Sequence, residues 1–183
     1  MTHDVISVLA GLGVVGQALV VLLALSLLAA RERIRAWLWG YELWAAFVVA
    51  AIATGGSLFL SEVAGFVPCE MCWYQRICMY PLSLLTLFLA FHGDHRTARY
   101  LLPFPVIGAG VSVYHLLIEN HVVSTPVQCQ VGAGCTVKWI NYFGYMTIPT
   151  LALTAFALLT VFLGLAAASG GDEAATLPAD AQR

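Results

Sequence analysis

The sequence contains little charge. Of its 183 residues, 8 are Lys or Arg and 10 are Asp or Glu, which is 10% of the chain, and the net charge is −2. Because an average soluble domain is about 25% charged, this composition excludes an ordinary soluble enzyme. The basic residues form no cluster longer than three, so nucleic-acid binding has no electrostatic basis. Hydrophobic residues make up 61% of the chain, which also excludes a disordered protein, and we predict an integral membrane protein.

Charge is absent altogether from five long stretches. A helix needs about 20 apolar residues to cross the hydrocarbon core of a bilayer, and each stretch has that length or approaches it. The stretches are Val5–Ala30, Leu43–Ser61, Ile77–Phe91, Tyr100–Ile118 and Pro149–Ala168. Since lipid offers no partners to backbone polar groups, these segments must satisfy them internally as helices. The predicted fold class is therefore all-α, an integral membrane helix bundle.

The few basic residues are unevenly placed around these spans. No Lys or Arg precedes the first span and three arginines follow it within residues 31–35, which predicts a retained helix with its N-terminus outside. In that orientation six of the eight basic residues lie on the cytoplasmic side, and Arg76 and Lys138 lie outside. Residues 62–72 and 119–145 then form two outer segments.

Cysteine is also scarce, but its placement is informative. Cys78 lies within a span, where we expect a packed, inert thiol, and the other four cysteines fall in the outer segments. These four are Cys69, Cys72, Cys129 and Cys135. An even number of thiols facing an oxidising compartment predicts disulfide chemistry. Two structural disulfides are one interpretation. However, a bond between Cys69 and Cys72 closes too small a loop to stabilise the fold much, and CxxC spacing is typical of fast disulfide exchange.

The CxxC motif lies where a helix is expected to begin. Pro68 precedes it, and proline is favoured in the first turn of a helix, where free backbone amides stabilise a thiolate. Arg76 follows Cys72 by four residues, so the two side chains should share one helix face. An arginine at membrane depth is costly, which indicates a function beside Cys72; an arginine that snorkels to the interface is the alternative.

Three glycines in the first span match the spacing of a dinucleotide-binding loop. They are Gly11, Gly13 and Gly16. No predicted strand precedes them and they lie within a membrane span, so that function has negligible support. We expect these small residues to allow close packing against another helix.

The CxxC motif and its surroundings resemble a known family. The resemblance is to the DsbB family of membrane disulfide-forming oxidoreductases, in its BdbC-like branch, and it rests on Pro68-Cys69-Glu70-Met71-Cys72-Trp73-Tyr74-Gln75-Arg76 followed by Met79-Tyr80-Pro81. It extends over roughly residues 56–163 and includes the segments 129–135 and 144–149 with Trp139 between them. A match of this length is far more specific than a CxxC motif alone.

The family core has four helices, so the resemblance implies a DsbB-like four-helix core with one extra N-terminal transmembrane helix. The extra helix and a cytoplasmic basic loop would occupy residues 1–35, and the core with its two cysteine-bearing outer loops residues 36–168. Residues 169–183 would form a disordered cytoplasmic tail. The extra helix has no family role to inherit.

The resemblance implies a relay of thiol–disulfide exchanges in the bacterial cytoplasmic membrane, with the cysteines on its outer face. An extracytoplasmic thioredoxin-like thiol oxidase of DsbA type would react with Cys129. Cys135 would then attack Cys69. Cys72 would be released as a thiolate towards a membrane quinone, ubiquinone or menaquinone, with Arg76 beside it.

His115 is a further candidate for the quinone site. A similarly placed histidine in the family suggests a hydrogen bond to a quinone carbonyl, and simple solvation at the interface is the alternative. No metal is expected, since cysteines that face an oxidising compartment tend to form disulfides.

Two other functions remain open. An enzyme resembling vitamin K epoxide reductase would use similar chemistry, but in that family the loop cysteines precede the CxxC helix, which is the reverse of the order here. A membrane scaffold with stapled loops would leave Arg76 without a role.

Overall fold

Every regular element in the described part of the chain is helical. The structure is a computed structural model, and it describes residues 2–124, 129 and 134–176. The helices are α1 (Thr2–Leu38), α2 (Glu42–Leu58), α3 (Glu70–His92), α4 (Ala98–Leu101), α5 (Pro103–Glu119) and α6 (Ile148–Thr176), with a π-helical turn at Phe59–Val63 after α2. Among these residues the extended pairing is limited to one isolated bridge, between Tyr142 and Met146.

Five helical segments are long and apolar enough to cross a membrane. They are His3–Leu38, Glu42–Val63, Glu70–His92, Ala98–Glu119 and Ile148–Gly171. The second span joins α2 to the π-helical turn, and the fourth joins α4 to α5. The predicted all-α membrane bundle with five spans is confirmed.

The N-terminal helix is longer than expected. Ala30 has non-helical angles (φ −149°, ψ 51°), but the helix resumes after this kink and continues to Leu38. The expected loop at Arg31–Arg35 is therefore wrong, because this segment is helical. Its residues are compatible with a helix, and no glycine interrupts it before Gly40, whose positive φ of 83° ends the turn that follows.

The C-terminal helix also runs further than expected. α6 continues to Thr176, so the predicted disordered tail does not begin at Ser169. Two contacts explain the extension. The buried Ser169 donates a hydrogen bond of 3.2 Å to Oε1 of Glu42, and Gly170 packs so closely on the backbone of Arg96 that a Cβ atom would lie 2.6 Å from its nitrogen. Residues 177–183 of the predicted tail lie outside the described residues.

The centre of the bundle lies between α2, α3, α5 and α6. Phe156 of α6 is fully buried there, and Gly108 of α5 lies directly against its ring, where a side chain would not fit. This close approach brings α5 onto α6, while α3 packs against α2 and α5. The N-terminal end of α3 and the C-terminal end of α5 therefore lie together.

The N-terminal helix α1 packs on α6 through two of the three glycines. A Cβ atom on Gly13 would collide with Leu151, and one on Gly16 would lie 3.0 Å from Cγ2 of Thr154. Gly11 faces open space. The predicted packing through small residues is thus confirmed for Gly13 and Gly16.

Candidate functional site

The CxxC motif lies at the N-terminus of α3, as its sequence indicates. Cys69 is the N-cap residue, with extended angles (φ −75°, ψ 171°), and its Sγ accepts a hydrogen bond of 3.4 Å from the backbone N–H of Cys72. Pro68 leads into this cap. Because a helix N-terminus presents free amides and a positive dipole, the position favours negative charge on the Cys69 sulfur.

Four of the five cysteines lie in one region. Sγ of Cys69 is 2.9 Å from Sγ of Cys72, while Cys129 and Cys135 are joined by a disulfide. Cys69 packs in a buried cluster with Cys129 and Cys135, and Met71 and Ile118 complete it. Residues 130–133, between the paired cysteines, lie outside the described residues.

Cys78 is placed away from this region. It is buried two turns along α3 in the central hydrophobic core, as expected of a packed thiol. Its position separates it from the four cysteines that share one end of the bundle.

His115 bridges the two cysteine pairs. The residue is 4% exposed, and its Nε2 lies 3.2 Å from the carbonyl oxygen of Cys135 and 3.6 Å from Sγ of Cys69. A carbonyl oxygen only accepts, so Nε2 carries a proton and donates. A merely solvated His115 is therefore wrong. The other ring nitrogen, Nδ1, is buried without a hydrogen-bond partner among the described residues.

Cys69 is the thiolate of the reduced pair. The Cys72 thiol donates a hydrogen bond to Sγ of Cys69, which lowers the pKa of Cys69 from its usual range to about 4. Burial of Cys69 opposes this shift. The hydrogen bond and charge of His115 and the backbone N–H of Cys72 reinforce it. At neutral pH the negative charge therefore rests on Cys69, and Cys72 holds the remaining proton.

This charge distribution predicts a titration that can be measured. With only the Cys69–Cys72 pair reduced, the thiolate absorbance of a Cys78→Ala protein should rise with a midpoint of about pH 4. Adding Cys72→Ala removes the principal donor, so the midpoint should move up towards the value of an ordinary thiol, about 8.5. An unmoved midpoint in the double variant would contradict the role of the Cys72 thiol as the main cause of the lowered pKa of Cys69.

A cavity of about 290 Å³ begins beside Cys72 and lies between α1, α2, α3 and α6. Most of its walls are aliphatic or aromatic. The polar side chains that line it are Ser57, Cys72, Gln75, Arg76, Tyr80 and Thr154. Ligand pockets typically measure about 300–1,000 Å³ and combine apolar walls with a few polar groups, so this cavity has the character of a small-molecule site. Cys72 and Arg76 do share a lining face, as their spacing predicts.

Within this cavity Arg76 is held by its neighbours. Its Nε donates to Oγ of Ser57 and its Nη2 to the Ser57 carbonyl, both at 3.0 Å, and its guanidinium lies 5.4 Å from the centroid of the Trp73 ring. Tyr80 contacts both Ser57 and Arg76. Its hydroxyl donates a 3.4 Å hydrogen bond to Oγ of Ser57, and the guanidinium lies 6.0 Å from the centroid of its ring. Two hydrogen bonds and ring contacts orient the arginine more closely than snorkelling requires.

His115 is not among the residues that line this cavity. It lies instead in a small recess of about 20 Å³ behind Cys69, with Glu119 and Lys138. The geometry thus places it with the thiols and away from the face on which a quinone was expected.

Sequence reasoning missed two polar residues of the site. Ser57 reads as one small residue in an apolar span, and nothing in its local sequence indicates an arginine partner 19 positions away. Glu119 reads as the first residue of the polar segment that follows a span. It is nevertheless 3% exposed, accepts a 3.1 Å hydrogen bond from Thr147, and lies 3.8 Å from Nζ of Lys138. The signal that could have identified Glu119 is its position four residues after His115, a predicted site residue.

Three potential metal ligands also meet here. The donor atoms of Cys69, Cys72 and His115 all lie within 4.8 Å of one another. A structural zinc site has four ligands, and a catalytic one adds water to three. The absence of a bound metal stays a prediction.

Comparison with known proteins identifies the family. A family model described as "Disulfide bond formation protein DsbB" matches residues 41–166. The chain belongs to the DsbB family. It is 47% identical over 124 residues to "Disulfide bond formation protein C" of Bacillus subtilis, covering 67% of this chain and 90% of that protein. It is 43% identical over 122 residues to "Probable disulfide formation protein C 1" of Bacillus anthracis, covering 66% and 88%. No solved structure matches the chain.

Membership of the DsbB family supports two plain statements. The protein is a multi-pass membrane protein of the BdbC-like branch, and it is a thiol–disulfide oxidoreductase. The matched range contains Cys69, Cys72, Cys129 and Cys135 together with Arg76 and His115, and it does not include α1.

Proposed function

We propose that the protein reoxidises an extracytoplasmic thioredoxin-like protein of DsbA type and passes the electrons to a membrane quinone. The observation that carries this proposal is the position of the CxxC pair between two environments. Cys69 packs against the Cys129–Cys135 disulfide, whereas Cys72, whose sulfur is only 2.9 Å away, lines the apolar cavity. One dithiol pair thus contacts both a second disulfide and a site open to a lipid-soluble molecule.

The first exchange takes place at the Cys129–Cys135 disulfide. One thiolate of the reduced partner attacks Cys129, forming a mixed disulfide and releasing Cys135 as a thiolate. The partner's second thiolate then attacks the partner's sulfur in the mixed disulfide and releases Cys129. The partner leaves as a disulfide, and the Cys129–Cys135 pair has gained two electrons and two protons.

The second exchange moves the electrons to the CxxC pair. Cys135 attacks Cys69 of a Cys69–Cys72 disulfide and expels Cys72, and Cys129 then attacks Cys135 to restore the loop disulfide. The N–H of His115 Nε2 lies between the carbonyl of Cys135 and the sulfur of Cys69. It is therefore placed to stabilise negative charge on Cys69 when that sulfur is the leaving group.

The cavity suits a quinone. Arg76 and Tyr80 line it together with Cys72 and can donate hydrogen bonds to a carbonyl oxygen, and most of its other walls are apolar. A bound quinone supplies an acceptor for two electrons and two protons. Cys69 and Cys72 return to a disulfide as they lose two electrons and the one proton that Cys72 holds, and the second proton is taken from solvent. Arg76 stabilises negative charge beside Cys72.

The proposed setting is the bacterial cytoplasmic membrane, with the N-terminus and the four cysteines on the outer side and the C-terminus in the cytoplasm. This orientation rests on the excess of arginines at the other end of the bundle. A DsbA-type partner would then meet the cysteines in the compartment where disulfides form.

A thiol-trapping gel tests the function. The purified protein is mixed with an excess of a reduced DsbA-type protein, with and without a quinone, and all thiols are then alkylated with a mass tag. With quinone, we expect the partner to become oxidised over many turnovers; without it, oxidation should stop after the protein's own disulfides are consumed. A scaffold with structural disulfides would leave the partner reduced in both mixtures, which would refute the proposal.

A further inference from the structure

The helix that lies outside the family match forms one wall of the cavity. α1 contributes Leu9, Leu12, Gly13, Val15 and Gly16 to its lining. From the structure we infer that α1 completes a binding site for the isoprenoid tail of the quinone, so that affinity depends on the tail as well as on the ring. This inference rests on the proposed quinone function and adds a role for a segment to which the family match gives none.

The wall is held in a fixed position. Gly13 and Gly16 bring α1 against Leu151 and Thr154 of α6, and Leu9 packs over Gly56 of α2, where a Cβ atom would lie 3.1 Å from Cδ2 of the leucine. The α1 backbone is thus closely seated on α6, while a side chain of α1 reaches across to α2. α1 consequently forms one wall of the space between α2, α3 and α6.

Polar contacts also hold the N-terminal half of α1. Oγ of Ser7 lies 2.9 Å from the hydroxyl of Tyr142, and the hydroxyl of Tyr145 donates to Oε1 of Gln17 at 3.1 Å. Both tyrosines belong to the segment that follows Cys135. α1 is therefore attached to the cysteine-bearing loop and to α6, and it does not act as an independent anchor.

The chemistry of the cavity changes along its length. Near Cys72 and Arg76 it offers hydrogen bonds and positive charge, whereas the α1 wall offers only aliphatic side chains and glycine backbone. From Leu9 to Gly16 this wall extends about 10 Å at 1.5 Å per residue. Leu12 is 45% and Val15 64% exposed, so the wall reaches the surface that faces lipid. A polar ring carrying a long apolar tail is the class of ligand that matches both ends.

The test compares quinones with and without a tail. The Kd of the full-length protein is measured from the rise in its thermal midpoint with ligand concentration, for a quinone with a long isoprenoid tail and for the same ring without one. The wild-type protein should bind the long-tailed quinone at least about tenfold more tightly. Leu12→Trp, which fills the wall side of the cavity, should remove most of that difference and leave the Kd of the tailless ring nearly unchanged.

Val14→Trp is the matched control. Val14 lies on the same helix at similar depth, is 38% exposed and does not line the cavity, so this variant should keep the wild-type preference for the tail. If Leu12→Trp does not fold, Leu12→Ala decides the question, since it should reduce the preference in the same direction by removing apolar contact.

The outcomes separate this inference from the proposed function. A tail preference that Leu12 variants lose and Val14→Trp keeps would support the α1 wall. Equal affinity for both quinones, or Leu12 variants that behave as Val14→Trp does, would overturn it while the quinone function stands. A wild-type protein that binds neither quinone would overturn both.

Discussion

Cys72→Ala is expected to abolish electron transfer to quinone, with a fall in the rate of quinol formation of at least about a thousandfold, as for removal of a reacting nucleophile. Cys72 supplies the sulfur that lines the cavity, and without it Cys69 has no partner with which to form a disulfide. The Cys129–Cys135 disulfide should still accept electrons from a reduced partner once. The measurement is the rate of quinol formation beside a single-turnover assay of partner oxidation.

Cys78→Ala is the control for this experiment. Cys78 is also a cysteine of α3, but it is packed in the central core. Its replacement should cost about 1 kcal/mol of stability and leave the electron transfer intact. If Cys78→Ala stopped quinol formation as completely as Cys72→Ala does, the relay through four cysteines would be wrong.

Arg76→Met should lower kcat/KM for quinone by about a hundredfold, the usual cost of removing one donor that stabilises developing charge. Among the described residues that line the cavity, Arg76 is the charged one. Methionine keeps much of the length and apolar surface of the side chain but neither its charge nor its hydrogen bonds. Because Arg76 lines the cavity and is not part of the buried cluster that contains Cys129 and Cys135, single-turnover oxidation of the partner should be unchanged.

Two further variants separate the charge of Arg76 from its orientation. Arg76→Lys keeps the charge but loses the planar fork that reaches both Oγ and the carbonyl of Ser57, so a moderate fall is expected. Ser57→Ala removes one of these acceptors and should act in the same direction with a smaller effect. Quinone kinetics that are unchanged in Arg76→Met would indicate an arginine that merely snorkels to the interface.

The sequence was sufficient for the features that depend on local chemistry. Charge-free stretches predicted five spans because the bilayer imposes a length on each, and Pro68 before the CxxC motif predicted the start of α3 because helix termini have their own residue preferences. The glycines of α1 likewise indicated close packing.

The contacts between distant segments were not predictable in this way. Arg76 finds its partner on α2, and His115 on α5 meets sulfur and carbonyl groups from two other segments. Such pairs depend on how the helices rotate and slide against one another, which packing sites such as Gly108 on Phe156 determine. The end of α6 was missed for a related reason, since Glu42 and Arg96 favour a longer α6 through tertiary contacts.

The sharing of one proton between Cys69 and Cys72 affects the energetics of the whole reaction. Because the pKa of Cys69 is about 4, the reduced pair carries a single proton at neutral pH, and its oxidation releases two electrons but one proton. The reduction potential of such a couple changes by about 30 mV per pH unit, half of the roughly 59 mV expected when two protons accompany two electrons. The driving force that this pair offers therefore changes with pH only half as steeply as that of a dithiol that loses both protons.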